Sequence, residues 1–151
     1  MPDAPFIHLR LHSEYSVTDG IVRLGDAVAR ADSYGMPALA LTDLVNVFGL
    51  VKFYSAARNK GIKPVLGSDV FIANESDPDR PCRLLLLVRS RQGYLQLCEL
   101  LSRAYVAPRV RGRAEITRRM LQDVGVDGLI ALSGAAAGDV GEALQQGNRE
   151  Q

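Results

Sequence analysis

The sequence predicts an α/β fold in which a parallel sheet is covered by helices. The chain has 151 residues, of which 47% are apolar and 23% charged, so it can bury the core of one domain. Short apolar runs alternate along the chain with stretches of helical periodicity. Such alternation is typical of parallel sheets, because two parallel strands need a crossover connection between them.

The apolar runs and the helical repeats define the predicted elements. We expect about five parallel strands, at residues 6–11, 38–41, 64–72, 84–88 and 129–132. Apolar residues at helical spacing predict helices over residues 24–31, 51–58, 91–105 and 139–146.

Composition excludes several classes of protein. The formal net charge is +1, so no global field attracts nucleic acid or an anionic membrane. The longest aliphatic run, residues 84–88, is far too short to cross a bilayer, and no secretory signal is visible at the amino terminus. Two cysteines make neither a disulfide framework nor a zinc site. We therefore expect a cytoplasmic protein without a membrane partner.

Candidate functional residues lie near the ends of the predicted strands, because active sites of parallel α/β folds form at the carboxyl ends of the strands. His12 follows the first predicted strand, Asp43 follows the second, and Asp69 lies inside or at the end of the third. His12 shares a strand face with His8, which suits a metal clamp, but Arg10 between them repels a cation, so a polar strand end is the alternative. Asp43 could bind a metal, orient a neighbouring side chain or cap the next helix, and its position alone favours the cap.

A second candidate is a group of arginines after the third predicted helix. Arg109, Arg111 and Arg113 lie in a stretch with one acidic residue, and Tyr105 is nearby. Such a loop could contact nucleic-acid phosphates, or it could be a solvated loop without a partner.

Three segments carry a resemblance to a known family. They read HLRLHSEYSVTDG from residue 8, GMPALALTDLVNVFG from residue 35 and GIKPVLGSD from residue 61. In this order they resemble the first three motifs of the PHP (polymerase and histidinol phosphatase) domain. Their spacing is similar to the branch at the amino terminus of the alpha subunit of bacterial DNA polymerase III. The resemblance implies that residues 1–151 are the amino-terminal part of a distorted (β/α)7 barrel, cut short before the barrel closes.

The resemblance also implies a metal site that this chain has partly lost. Active members bind Zn²⁺ or Mn²⁺ through histidines and carboxylates. At the matching positions of this sequence, His12 and Asp19 are kept, a glutamate is shortened to Asp69, Asp43 keeps the acid of the second motif, and three histidines are replaced by Arg10, Leu44 and Arg83. We expect the two arginines to substitute for cations and to pair with these aspartates. A residual ion at His12, Asp19 and Asp69 is the alternative.

The function implied by the resemblance is that of a replicative DNA-directed DNA polymerase, with this part as a scaffold that docks the proofreading exonuclease subunit. The nucleotidyl-transfer site with its Mg²⁺, and most DNA contacts, would belong to downstream domains. This part would then be inactive and need no cofactor. The alternative is a small metal-dependent phosphoesterase, which would need histidine at positions 10, 44 and 83. An open barrel also leaves strand edges unpaired, so we expect marginal stability or aggregation.

Overall fold

The computed structural model describes residues 6–108 and 112–147, and it divides into two compact units, Met1–Ser68 and Asp69–Gln151. The helices of the described residues are α1 (Leu24–Ser33), α2 (Leu50–Asn59), α3 (Arg91–Val106), α4 (Arg118–Val124) and α5 (Asp139–Gln145). The strands are β1 (Ala38–Leu41), β2 (Lys63–Ile72), β3 (Cys82–Val88) and β4 (Leu129–Ser133), hydrogen-bonded in the order β1-β2-β3-β4. None of these helices combines the length and the apolar character that a membrane crossing requires. The mixed α/β class is confirmed.

The core of the first unit lies between β1 and two helices. β1 pairs in parallel with the first four residues of β2. Leu24 and Val28 of α1 and Phe53 and Ala57 of α2 are buried against Leu39 of β1. Each helical pair is spaced i, i+4, which sets both side chains on the face that meets the strand.

The strand predicted at residues 6–11 is wrong as a regular strand. The segment does run beside β1, since the N–H of Ala40 donates to the carbonyl of His8 at 3.0 Å and that of Thr42 to the carbonyl of Leu11 at 2.9 Å. The N–H of Leu11, however, donates to Oγ1 of Thr42 at 2.8 Å. Because a side chain takes an amide that a strand ladder would use, the segment is extended but irregular.

In the second unit, the expectation of an all-parallel sheet is also wrong. β3 pairs with β4 in the antiparallel sense, with Leu86 opposite Ala131. The connection between them holds two helices, α3 and α4, where a parallel arrangement assumes a single crossover helix. The second helix, α4, is short and was not predicted. With this additional helix the chain changes direction once more before it enters β4, which then runs antiparallel to β3. The described residues therefore contain four strands, where about five were expected.

The helix α3 packs unusually close to the loop before β4. Oγ of Ser90 accepts a hydrogen bond from the N–H of Gly93 at 3.1 Å and so caps the helix. A Cβ atom on Gly93 would overlap the backbone of Gly128, and the N–H of Gly128 donates to Oε1 of Gln96 at 3.1 Å. The absence of a side chain at both glycines is what allows this close approach.

Candidate functional site

Asp43 is the centre of a buried hydrogen-bond network in the first unit. Asp43 is the second residue after β1, directly after Thr42, and it is 1% exposed. Its Oδ1 atom accepts from the N–H of Ser13 at 2.6 Å and from Oγ of Ser16 at 2.8 Å. Oγ of Ser13 lies 2.9 Å from both carboxylate oxygens. The carboxylate is therefore satisfied by three protein donors, as a buried charge requires.

Ser16 connects this carboxylate to Leu44. The N–H of Leu44 donates to Oγ of Ser16 at 3.0 Å, while the same hydroxyl donates to Asp43. Nδ2 of Asn46 donates to the carbonyl of Tyr15 at 3.0 Å and strengthens the same contact between the two segments. The turn within the first motif is thus held against the residues after β1.

Val17, next to Ser16, has a strained backbone. Its φ is 62° and its ψ is −54°, and the N–H of Thr18 donates to the carbonyl of Ser16 at 2.6 Å. This is a γ-turn with positive φ, which is rare and costly for a β-branched residue. The side chain is 82% exposed, so burial does not compensate for the strain. The hydrogen bonds of Ser16 are what hold the turn in this conformation.

His12 and Asp19, two of the predicted site residues, contact each other. Nδ1 of His12 lies 3.0 Å from Oδ1 of Asp19, and their side chains are 11% and 39% exposed. Arg10, two residues before His12, is exposed. The predicted residues of the first unit therefore form one histidine–carboxylate pair beside the buried Asp43 network.

In the second unit, Arg83 forms a bidentate ion pair with Asp69. Nε of Arg83 lies 3.2 Å from Oδ1 of Asp69, and Nη2 lies 2.8 Å from Oδ2. The Asp69 side chain is 2% exposed and that of Arg83 is 16% exposed. The guanidinium carbon also lies 4.9 Å from the ring centre of Phe71, within the range of a cation–π contact. This paired arrangement is the strong form of arginine–carboxylate recognition.

Arg113, one of the predicted nucleic-acid contacts, makes internal contacts. Its Nε lies 3.2 Å from Oε1 of Glu115, and its Nη2 donates to the carbonyls of Pro78 and Asp79 at 3.4 and 3.3 Å. Its guanidinium carbon lies 5.8 Å from the ring centre of Phe71. Arg109 and Arg111, the other two predicted contacts, lie outside the described residues.

Cys82, at the start of β3, has a perturbed thiol. Burial raises the pKa of this thiol above its usual value, and the negative charges of Glu142 and Asp139 raise that pKa further. Arg118 acts in the opposite direction. The thiol is therefore less reactive than an ordinary exposed cysteine near neutral pH.

The residues present do not fit a metal cluster. Within residues 6–108 and 112–147, no group of three or more His, Cys, Asp or Glu side chains is arranged to hold an ion. A multinuclear site needs imidazole and carboxylate lone pairs that face the metal. Here Asp43 faces hydroxyl and amide donors, and both oxygens of Asp69 face the guanidinium of Arg83.

Sequence reasoning did not identify the serines of this site. Ser13 and Ser16 both fall within the first motif, but they contact Asp43 across 30 and 27 residues of sequence. Both are buried, at 0% and 5% exposure, which is uncommon for serine. Their position in the sequence could have identified them, because two hydroxyl side chains follow a predicted strand in a segment rich in polar residues.

The sequence of the chain is similar to those of known proteins. The chain is 48% identical to DNA polymerase III subunit alpha of Neisseria meningitidis serogroup A over 99% of its length, and 43% and 41% identical to those of Vibrio cholerae and Escherichia coli K12 over 100% and 98%. It spans about 13% of the length of these relatives.

Two solved structures share part of the fold. A putative metal-dependent phosphoesterase from Bifidobacterium adolescentis has a TM-score of 0.53 and 18% identity over 71% of this chain and 35% of its own. An amidohydrolase from Chromobacterium violaceum, with bound sulfate and no metal, has a TM-score of 0.51 and 24% identity over 65% of this chain and 32% of its own. These likenesses support the fold alone. The family model of the PHP domain matches residues 8–151, and the chain therefore belongs to the PHP family.

Proposed function

We propose that the chain is the amino-terminal PHP part of a replicative DNA polymerase III alpha subunit and acts there as a scaffold. Identity of 41–48% over nearly the whole chain to three such subunits supports the assignment. Nucleotidyl transfer, with its Mg²⁺, and most DNA contacts belong in this proposal to other regions of the longer relatives. The protein is accordingly a cytoplasmic component of DNA replication.

The observation that carries the scaffold role is the bidentate pair of Arg83 and Asp69. At position 83, where the family resemblance implies a histidine, this chain has a guanidinium whose two nitrogens contact both carboxylate oxygens of Asp69. A fixed positive charge at this position repels a metal ion and at the same time neutralises the buried carboxylate. The same groups thus stabilise the fold and remove the means of hydrolysis.

The partner in this proposal is the proofreading exonuclease subunit of the polymerase core. A direct test immobilises the 151-residue chain and measures capture of the purified exonuclease subunit by surface plasmon resonance. Reversible, saturable binding is expected, and an immobilised protein of similar size and charge is the control. Absence of binding at micromolar concentrations would contradict docking by this part of the chain.

The metal content of the protein tests the proposal that Arg10 and Arg83 take the place of bound cations. We expect inductively coupled plasma mass spectrometry of the dialysed protein to find zinc and manganese far below one ion per chain. A stoichiometric ion that survives dialysis would contradict the substitution of Arg10 and Arg83 for cations. It would instead support the residual site at His12, Asp19 and Asp69.

The alternative reading, a small metal-dependent phosphoesterase, can be tested separately. Hydrolysis of p-nitrophenyl phosphate in the presence of added manganese should not exceed that of a protein-free control. Turnover that depends on His12, removed by His12→Ala, would support the alternative and would overturn the scaffold role.

Direct nucleic-acid contact by the arginine loop also stays a proposal. If the loop binds phosphates, a gel shift should weaken with rising salt and with Arg109→Ala or Arg111→Ala. Arg113→Ala is the informative comparison, because Arg113 is engaged with Glu115 and two carbonyls. The absence of any salt-dependent shift in the unsubstituted chain would favour the solvated loop.

A further inference from the structure

The segment between β2 and β3, residues 73–81, is an ordered loop, which we call the strap. Oδ1 of Asn74 accepts hydrogen bonds from the N–H groups of Ser76 at 3.0 Å and Asp77 at 3.3 Å. Nδ2 of Asn74 donates to the carbonyl of Arg80 at 3.1 Å, and the N–H of Arg80 donates to the carbonyl of Asp77 at 3.0 Å. Such local bonds between side chain and backbone define a turn. The strap therefore holds much of its conformation through contacts of its own.

The tip of the strap contacts the guanidinium of Arg113. Nη2 of Arg113 donates to the carbonyl of Pro78 at 3.4 Å and to that of Asp79 at 3.3 Å. Both distances exceed the usual N–H···O separation of about 2.9–3.0 Å, so each bond is weak. Arg80 of the strap also lies 3.7 Å from Glu142, but the Arg80 side chain is 73% exposed, and an ion pair of this kind contributes little.

Arg113 is held in place independently of the strap. Its Nε lies 3.2 Å from Oε1 of Glu115, whose side chain is 7% exposed, and its guanidinium carbon lies 5.8 Å from the ring centre of Phe71. The N–H of Ile116 donates to the carbonyl of Phe71 at 2.8 Å, and the N–H of Ala73 donates to the carbonyl of Ile116 at 2.9 Å. These contacts fix the guanidinium beside the start of the strap, ready to receive its two carbonyls.

We propose that Arg113 is a latch for the strap. Its guanidinium holds the strap closed, and the strap opens as one piece about its two ends when Nη2 releases the two carbonyls. The bonds made by Asn74 do not involve Arg113, so they persist in the open strap. Two weak bonds between preformed parts permit an opening that leaves the strands intact. In the open strap, Nη2 is free to bind another acceptor. This inference does not depend on the function proposed above.

Nuclear magnetic resonance relaxation of the backbone nitrogens in the full chain tests the latch. In the unsubstituted chain, the amides of the strap should have order parameters of about 0.85, like those of β2 and β3. Arg113→Lys keeps a positive charge beside Glu115 but lacks Nη2. This variant should lower the order parameters of the strap below about 0.6 and leave those of the strands unchanged.

Arg80→Lys is the matched control, because it makes the same substitution at the exposed arginine of the strap, and it should leave the strap rigid. The order parameters of β2 and β3 verify that both variants are folded. A strap that is flexible in the unsubstituted chain, that stays rigid in Arg113→Lys, or that loosens equally in both variants would overturn the proposal.

Exchange of the amide protons with water tests whether the strap opens as one piece. In Arg113→Lys, the amides of Ser76 and Asp77 should exchange as in the unsubstituted chain, because their bonds to Asn74 persist. Asn74→Ala removes these bonds and should speed exchange of the same two amides roughly two- to tenfold, the equivalent of one neutral hydrogen bond. Equal acceleration in the two variants would mean that the strap unravels when the latch is lost, and would refute opening as one piece.

Discussion

Replacement of Ser16 by alanine is the sharpest test of the buried network around Asp43. The Ser16 side chain is buried, its hydroxyl donates to Oδ1 of Asp43 at 2.8 Å, and it accepts from the N–H of Leu44 at 3.0 Å. Alanine removes both hydrogen bonds without adding volume. The buried carboxylate then loses one of its three donors, and the N–H of Leu44 loses its acceptor.

The size of the effect follows from these two bonds. A hydrogen bond to a charged group contributes about 1.5–3 kcal/mol, and a bond between neutral groups about 0.5–1.5 kcal/mol. We therefore expect Ser16→Ala to lower the free energy of unfolding by about 2–4 kcal/mol. Ser33→Ala is the matched control, since the exposed Ser33 hydroxyl makes one bond, to the carbonyl of Arg30 at 2.8 Å. Its effect should stay within about 0.5 kcal/mol.

Urea unfolding, followed by far-ultraviolet circular dichroism, measures both variants at one protein concentration. Linear extrapolation gives each free energy in water, and equal slopes indicate that the unfolded states expose similar surface. If Ser16→Ala and Ser33→Ala had the same small effect, the network would not stabilise the first unit. The account of Asp43 as a carboxylate held by protein donors would then be wrong.

Three further substitutions have defined outcomes. Gly93→Ala should lower the free energy of unfolding, measured in urea, by about 1–3 kcal/mol, because the added methyl group overlaps the neighbouring backbone. Gly25→Ala is the control, since the space around Gly25 is open, and it should raise this free energy by up to about 1 kcal/mol. Val17→Gly should raise the free energy of unfolding, measured by calorimetry, by about 1 kcal/mol, because glycine adopts a positive φ without strain. A decrease in this free energy would contradict the presence of strain at Val17. Glu142→Gln should lower the raised pKa of the Cys82 thiol and so speed its alkylation by iodoacetamide at pH 8; an unchanged rate would count against the charge effect.

Local patterns predicted the elements whose burial is uniform or periodic. The run Ala38–Leu41 is buried at every position, and a continuous apolar run of this length is typical of a covered parallel strand. The helix α3 was predicted despite Gly93 because leucines recur at helical spacing, and three of them, Leu97, Leu100 and Leu101, are buried. In both cases the pattern that predicts the element lies within the sequence of that element.

Elements that depend on distant partners were not predictable in the same way. The helix α4 has seven residues, none of them buried, so its sequence shows no apolar stripe. Its amino terminus is capped by the side chain of Thr117, which accepts a hydrogen bond from the N–H of Met120. The direction of β4 depends on that helix and was predicted wrongly. The irregular course of residues 6–11 depends on the Thr42 hydroxyl, which lies 31 residues away from Leu11.

A metal cluster and a hydrogen-bonded carboxylate make opposite demands on the same oxygen atoms. Ligation requires lone pairs that face a cation, whereas hydroxyl, amide and guanidinium groups direct hydrogens at those lone pairs. Without donors, Asp43 and Asp69 would be buried without compensation, which costs on the order of several kcal/mol for each uncompensated charge. Ser13 and Ser16 at the first carboxylate, and Arg83 at the second, supply that compensation. We infer that Asp43 and Asp69 act in this structure as hydrogen-bond acceptors that stabilise the fold, and that the fold depends on the donors that face them.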